Sequence, residues 1–235
     1  MKNLKNWDNK TWLASERYIK SFCTFVKTKK KLNKNTKILD IGCGRANIMS
    51  RLQKTFKFKT KPTGIDVVRH RDVKKNIRFI KCDAIKFLKK GEKFDLIIIK
   101  QVIHLLSKKD RIILLNLCRS SLVNKGRLLI FSLKTKGNQI PVFKSFKKKL
   151  KISLKKDDKI FTNIKKVLKR INISYFNFKV NLKKTNYIKM IKNRYISCLL
   201  KMTDKQINEG AEEINIRYKN QIKFNDSLIC ITFTK

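Results

Sequence analysis

Asp40, Gly42 and Gly44 close a short apolar run, Lys37-Ile38-Leu39-Asp40-Ile41-Gly42-Cys43-Gly44-Arg45-Ala46-Asn47, with the types and spacing of a nucleoside-binding strand-turn-helix. Gly42 supplies a backbone conformation barred to other residues, and Gly44 has no side chain to block a ligand lying across the turn. A dinucleotide site would want a third small residue where Asn47 stands. Asp40, just ahead of the glycines, repels a pyrophosphate and attracts a ligand ammonium group. Asp66 lies toward the C-terminal end of the run Gly64-Ile65-Asp66-Val67-Val68, close to the ~20-residue interval at which an acid meets both ribose hydroxyls. Asp83-Ala84 follows a third apolar run, and Lys100-Gln101 follows a fourth.

Two further positions could touch an acceptor. His104, one of two histidines, leaves the fourth run four residues after Lys100, and imidazole titrates close enough to neutrality to take a proton from a hydroxyl or amine. Its flanks, Ile103, Leu105 and Leu106, equally suit a partly buried structural residue. Arg194, beside Tyr195, could hold a carboxylate in a bidentate pair, or could join two helices. His70 sits among Arg69, Arg71 and Asp72 and is given no role.

These residues need elements to position them. Five apolar runs read as strands: Lys37 to Ile41, Gly64 to Val68, Ile77 to Cys82, Phe94 to Ile99 and Arg127 to Leu133. Helical segments separate them, which describes a parallel sheet with right-handed crossovers. Ahead of the sheet, Trp12, Leu13, Tyr18, Ile19, Phe22, Phe25 and Val26 recur at helical spacing between Lys10 and Lys27. Beyond it, Phe143 to Lys156 is basic with a weak period, and Phe161, Ile164, Val167, Leu168 and Ile171 outline a firmer helix. Ser174 to Val180 and Ser227 to Phe233 make two more strands, with helices expected at Tyr187 to Leu200 and Asp204 to Tyr218 between them.

Length and charge bound the rest. The 235 residues, 42% hydrophobic, suit one α/β domain: residues 1–36 as a helix and link packed on the core, and 37–235 as the domain proper, with 184–219 a helical insertion. No apolar run approaches the ~20 residues of a membrane span, and Met1 to Asp8 lacks a signal core, so a cytoplasmic protein is expected. The six cysteines lack zinc-type spacing and read as thiols, with no metal expected. A net charge of +44 attracts phosphate, which keeps nucleic acid as a partner to test, yet the excess is mostly Lys spread along the chain.

Taken together, Ile38-Leu39-Asp40-Ile41-Gly42-Cys43-Gly44, with Asp66 and Asp83 in register, resembles the class I S-adenosylmethionine-dependent methyltransferase family, in particular its small-molecule branch. The resemblance covers Ile38 to Leu133 motif by motif and the remainder more loosely. It implies a Rossmann-like, seven-stranded, mostly parallel sheet with helices on both faces, the last strand antiparallel and a helical insertion between strands six and seven. It implies S-adenosylmethionine as cofactor, with Asp40, Gly42 and Gly44 around its methionine part, Asp66 on its ribose, Asp83 and Ala84 at its adenine, and Lys100 and Gln101 on its sulfonium side. A small organic acceptor would lie against His104, Arg194 and Tyr195. Leu122-Val123-Asn124-Lys125-Gly126 departs from the family's turn before strand five, with Asn124 and Lys125 in place of Pro and Gly, and Ala46 replaces a third glycine. An RNA methyltransferase, or a fold that binds without catalysing, would carry the same motifs.

Overall fold

The structure, a computed structural model, describes residues 11–235. Lys10 and the segment Met1 to Asp8 lie outside the described residues. A seven-stranded sheet runs in the order β3-β2-β1-β4-β5-β7-β6. Its strands are β1 (Ile38–Ile41), β2 (Thr63–Asp66), β3 (Arg78–Lys81), β4 (Phe94–Lys100), β5 (Leu122–Leu133), β6 (Ile171–Lys183) and β7 (Gln221–Thr234). The first five are mutually parallel, and β7 is antiparallel to both β5 and β6. This is the Rossmann-like sheet that the motifs imply.

β1 is buried along its whole length and β4 over Leu96 to Ile99, because helices cover both faces of the central sheet. On one face α1 (Glu16–Lys29) buries Tyr18, Phe22 and Val26, joined by α2 (Asn47–Phe56) through Met49 and Leu52. On the other, α3 (Ala84–Leu88) and α4 (Lys108–Ser121) bury Phe87, Leu114, Leu115 and Cys118. Ser15 and Ser107 cap α1 and α4 through their hydroxyls, satisfying amide donors that the first helical turn leaves unpaired. No helix among the described residues is long and apolar enough to cross a membrane.

Two helical expectations are corrected. The stretch read as a weak basic segment and a separate helix is one element, α5 (Lys144–Leu168), since Phe146, Leu150, Ile160, Ile164 and Leu168 keep a single buried stripe through the lysines. The helix expected from Tyr187 to Leu200 is instead α6 (Lys184–Lys192), a break, and a 3-10 turn at Ser197–Leu199. Arg194 takes φ +51 at the break, which ends the helical ladder. The turn swings Tyr195 inward, where its hydroxyl lies 2.8 Å from that of Tyr187. Then α7 (Asp204–Arg217) opens on a reciprocal capping box between Thr203 and Gln206.

Sheet order places the site. The chain leaves β1 for β2 and β3 on one side, then returns to build β4 on the other, opening a crevice beyond the carboxyl ends of β1 and β4. β7, threaded between β5 and β6, and the insertion α6 to α7 wall the far side.

Candidate active site

The turn after β1 is locked before any ligand arrives. Gly42 N and Cys43 N both donate to the Ile65 carbonyl, at 2.8 and 3.1 Å, tying the turn to β2. Gly42 has φ +72, and a Cβ there would lie 2.1 Å from Val102 Cγ2, so only glycine fits. Gly44, at φ +53, is different: a Cβ would meet nothing within 4 Å, leaving the space over the turn open to a ligand. Ala46 holds φ +58 at the start of α2.

Two carboxylates, Asp40 and Asp66, flank this turn, and a third, Asp83, follows β3. Asp66 accepts from Gly44 N through Oδ2 and from Val68 N through Oδ1, both at 2.9 Å, and each oxygen retains a lone pair for a hydroxyl donor. Asp40 is buried and receives no hydrogen bond among the described residues. Burial pushes its pKa up to about 7, with the Lys100 ammonium pulling it down and the Asp66 charge adding to the rise. Asp83 caps α3, Oδ1 accepting from Ile85 N and Lys86 N, which fixes the loop that presents Ala84.

At the end of β4 the side chains diverge. Lys100 turns onto the aromatic face of α1, its ammonium 5.2 Å from the Tyr18 ring and 5.5 Å from that of Phe22. Gln101, held at φ +58 and donating its backbone amide to the Phe131 carbonyl at 2.9 Å, lines a pocket. Backbone strain of this kind gathers where a chain must present a group to a ligand.

That pocket, about 780 Å³ including its open mouth, lies between the sheet ends and the insertion. Gln101, His104 and Tyr195 line it, together with Trp12, Asp157 and Asp226. His104 sits on a 3-10 turn, Ile103–Leu105, and burial lowers its pKa. Trp12 Nε1 donates to Asp226 Oδ2 at 2.8 Å inside the pocket wall. Burial raises the Asp226 pKa, opposed by that bond and by Lys100. Arg194 does not line the pocket. Its Nη2 donates to the Met202 carbonyl at 3.1 Å and to Asp204 Oδ1 at 2.7 Å, joining the break after α6 to the start of α7.

Sequence reasoning missed Asp157 and Asp226 and took Trp12 for core packing alone. One signal was present: Asp226 is a carboxylate inside a strand that is otherwise largely apolar from Phe224 to Phe233. Asp157 stands among lysines, where an acid reads as a surface ion pair.

A family model described as a methyltransferase domain matches residues 32–212, well over half of the chain. The chain belongs to this methyltransferase family. The match spans the glycine turn, the three carboxylates and α6, so the methyltransferase has its family's elements around both halves of the crevice. No curated protein matches it. Among solved structures, it resembles a protein of Anabaena variabilis described as a methyltransferase from an antibiotic biosynthesis pathway, with 12% identity, 89% of this chain and 95% of that one covered, and a TM-score of 0.65. The plantazolicin methyltransferase BpumL, in complex with S-adenosylhomocysteine, has 19% identity over 98% and 87% of the two chains, with a TM-score of 0.55. A SAM-dependent methyltransferase from Archaeoglobus fulgidus has 18% identity over 92% and 94%, with a TM-score of 0.52.

Proposed function

We propose that this methyltransferase transfers a methyl group from S-adenosylmethionine to a small organic acceptor bound in the pocket beside Gln101 and His104. The observation that carries the acceptor class is the pocket's lining: among the described residues it includes no Lys or Arg, although the chain holds 60 of them. A polynucleotide would be gripped through its phosphates by basic groups. This concavity has apolar and aromatic walls with a few polar groups, the usual make-up of a small-molecule site.

The crevice fits the cofactor. Open space over Gly44 admits it, and the unpaired, buried Asp40 suits its ammonium group. Asp66 would receive the ribose hydroxyls, and Asp83 with Ala84 would meet the adenine. When bound, the cofactor supplies a methyl group already activated on sulfonium. The protein's own work is then alignment and proton handling. Gln101, rigid at its strained backbone, marks the boundary between the two halves of the crevice. His104 is kept neutral by burial, the state in which it accepts a proton from an attacking hydroxyl or amine. Trp12 and Tyr195 exclude water from the acceptor.

Incubation with methyl-labelled S-adenosylmethionine and cell extract tests this reading, with each sample divided between ribonuclease treatment and a small-molecule filter. Label in the filtrate is expected. Label that is retained and removed by ribonuclease would replace the small acceptor with RNA.

A further inference from the structure

We propose that the acceptor is an apolar molecule carrying a basic amine, and that Asp157 on α5 anchors its ammonium group in the pocket. This deepens the reading above, on which the pocket receives the methyl acceptor.

Asp157 lines the pocket and is only 6% exposed, yet among the described residues it has no hydrogen-bond or ion-pair partner. A buried carboxylate left in this way is destabilising, and a cation brought by a ligand would relieve that cost. Its charged surroundings offer no substitute. Asp158, next in the chain, is of like sign, and the attractive Arg111 forms no ion pair with Asp157, its Nη1 donating instead to the Leu106 carbonyl at 2.5 Å. The second carboxylate of the lining, Asp226, is already engaged by Trp12 and faces Lys100. His104, its pKa lowered, brings no positive charge.

A ligand cation is the missing complement. The aromatic faces of Trp12 and Tyr195 in the same wall favour a cation over an anion. A carboxylate- or phosphate-bearing acceptor would confront two carboxylates with no Lys or Arg among the described residues of the lining. This runs against the carboxylate that Arg194 could have held, and Arg194 is bound instead to Met202 and Asp204.

Three indoles of similar size separate the charges: tryptamine, the alcohol tryptophol and indole-3-acetate. Each is titrated calorimetrically into wild type and Asp157→Asn with S-adenosylhomocysteine present, after a titration with S-adenosylhomocysteine alone. Tryptamine should bind wild type about tenfold or more tighter than tryptophol, with indole-3-acetate weakest, and the amine preference should vanish in Asp157→Asn. The melting temperature of the variant should hold or rise, since an unpaired buried charge is removed. The proposal is overturned if the alcohol or acid binds wild type as well as the amine, if none of the three binds, or if Asp157→Asn keeps the preference. S-adenosylhomocysteine binding without an amine preference defeats this inference alone. Its failure to bind defeats the methyl-transfer reading whichever way the indoles behave.

Discussion

Trp12 Nε1 and Asp226 Oδ2 lie 2.8 Å apart although 214 residues separate them in sequence. The bond closes the pocket wall between the turn before α1 and strand β7. Trp12 also packs edge-on against Tyr195 and Phe224, with ring centroids 5.3 and 5.1 Å away. Trp12→Phe keeps an aromatic body but strips the donor from a buried carboxylate. It should cost about 1–3 kcal/mol in urea unfolding, while S-adenosylhomocysteine affinity stays within twofold, as roughly expected for a site it does not touch.

Asp66 braces the glycine turn and, on the proposed reading, also receives the cofactor's ribose. Asp66→Ala removes the acceptors of Gly44 N and Val68 N as well as those of the ribose hydroxyls. S-adenosylhomocysteine affinity should fall by about 1.5–3 kcal/mol, some 10- to 150-fold, in calorimetric titration. Unchanged affinity would remove Asp66 from the cofactor site.

His104→Ala should lower kcat by about 100-fold or more while cofactor affinity and melting temperature hold. Because burial lowers the imidazole pKa, the acidic limb of the wild-type pH-rate profile should lie below pH 6.5. That limb should be absent from the variant. A limb that persists assigns the titration to another group, and a parallel fall in stability returns His104 to a packing role.

Asp40 ties stability to pH. Unfolded, it titrates near 3.9, whereas in the folded protein burial raises it to about 7. The folded state therefore holds this proton more tightly between those values. The contribution is complete below about pH 4 and is lost as pH rises through about 7. Asp40→Asn, uncharged throughout, should match wild type near pH 4 and exceed it by on the order of 2–4 kcal/mol at pH 8. Denaturant unfolding of the cofactor-free protein at the two pH values measures the difference. Equal stability of the two proteins at pH 8 would show that Lys100 keeps Asp40 charged at little cost.

The residues proposed for the cofactor could be placed from sequence because each lies at or just past the carboxyl-terminal part of a strand, so identifying β1 to β4 also located Asp40, Asp66, Asp83 and Gln101. Even the departures were informative. Lys125 and Ala46, standing where the family uses glycine, both hold φ +58, so the backbone keeps its left-handed conformation at about 1–2 kcal/mol each. The pocket was not legible. Trp12, Asp157 and Asp226 come from three remote segments, and no local spacing reports their convergence. Nor did apolar periodicity register the break at Arg194, which depends on Tyr195 turning inward to meet Tyr187.

The threading of β7 between β5 and β6 also orders the protein's assembly during synthesis. β1 to β5 have all left the ribosome, and can pair side by side, well before residues 221–234 exist. β6 has no sheet neighbour until β7 arrives, because its ladder partner is β7. Asp226 comes with that same strand, so the pocket wall it shares with Trp12 is closed only once β7 has emerged. A nascent chain can pair β1 to β5 early, but the pocket takes shape only after β7 is made.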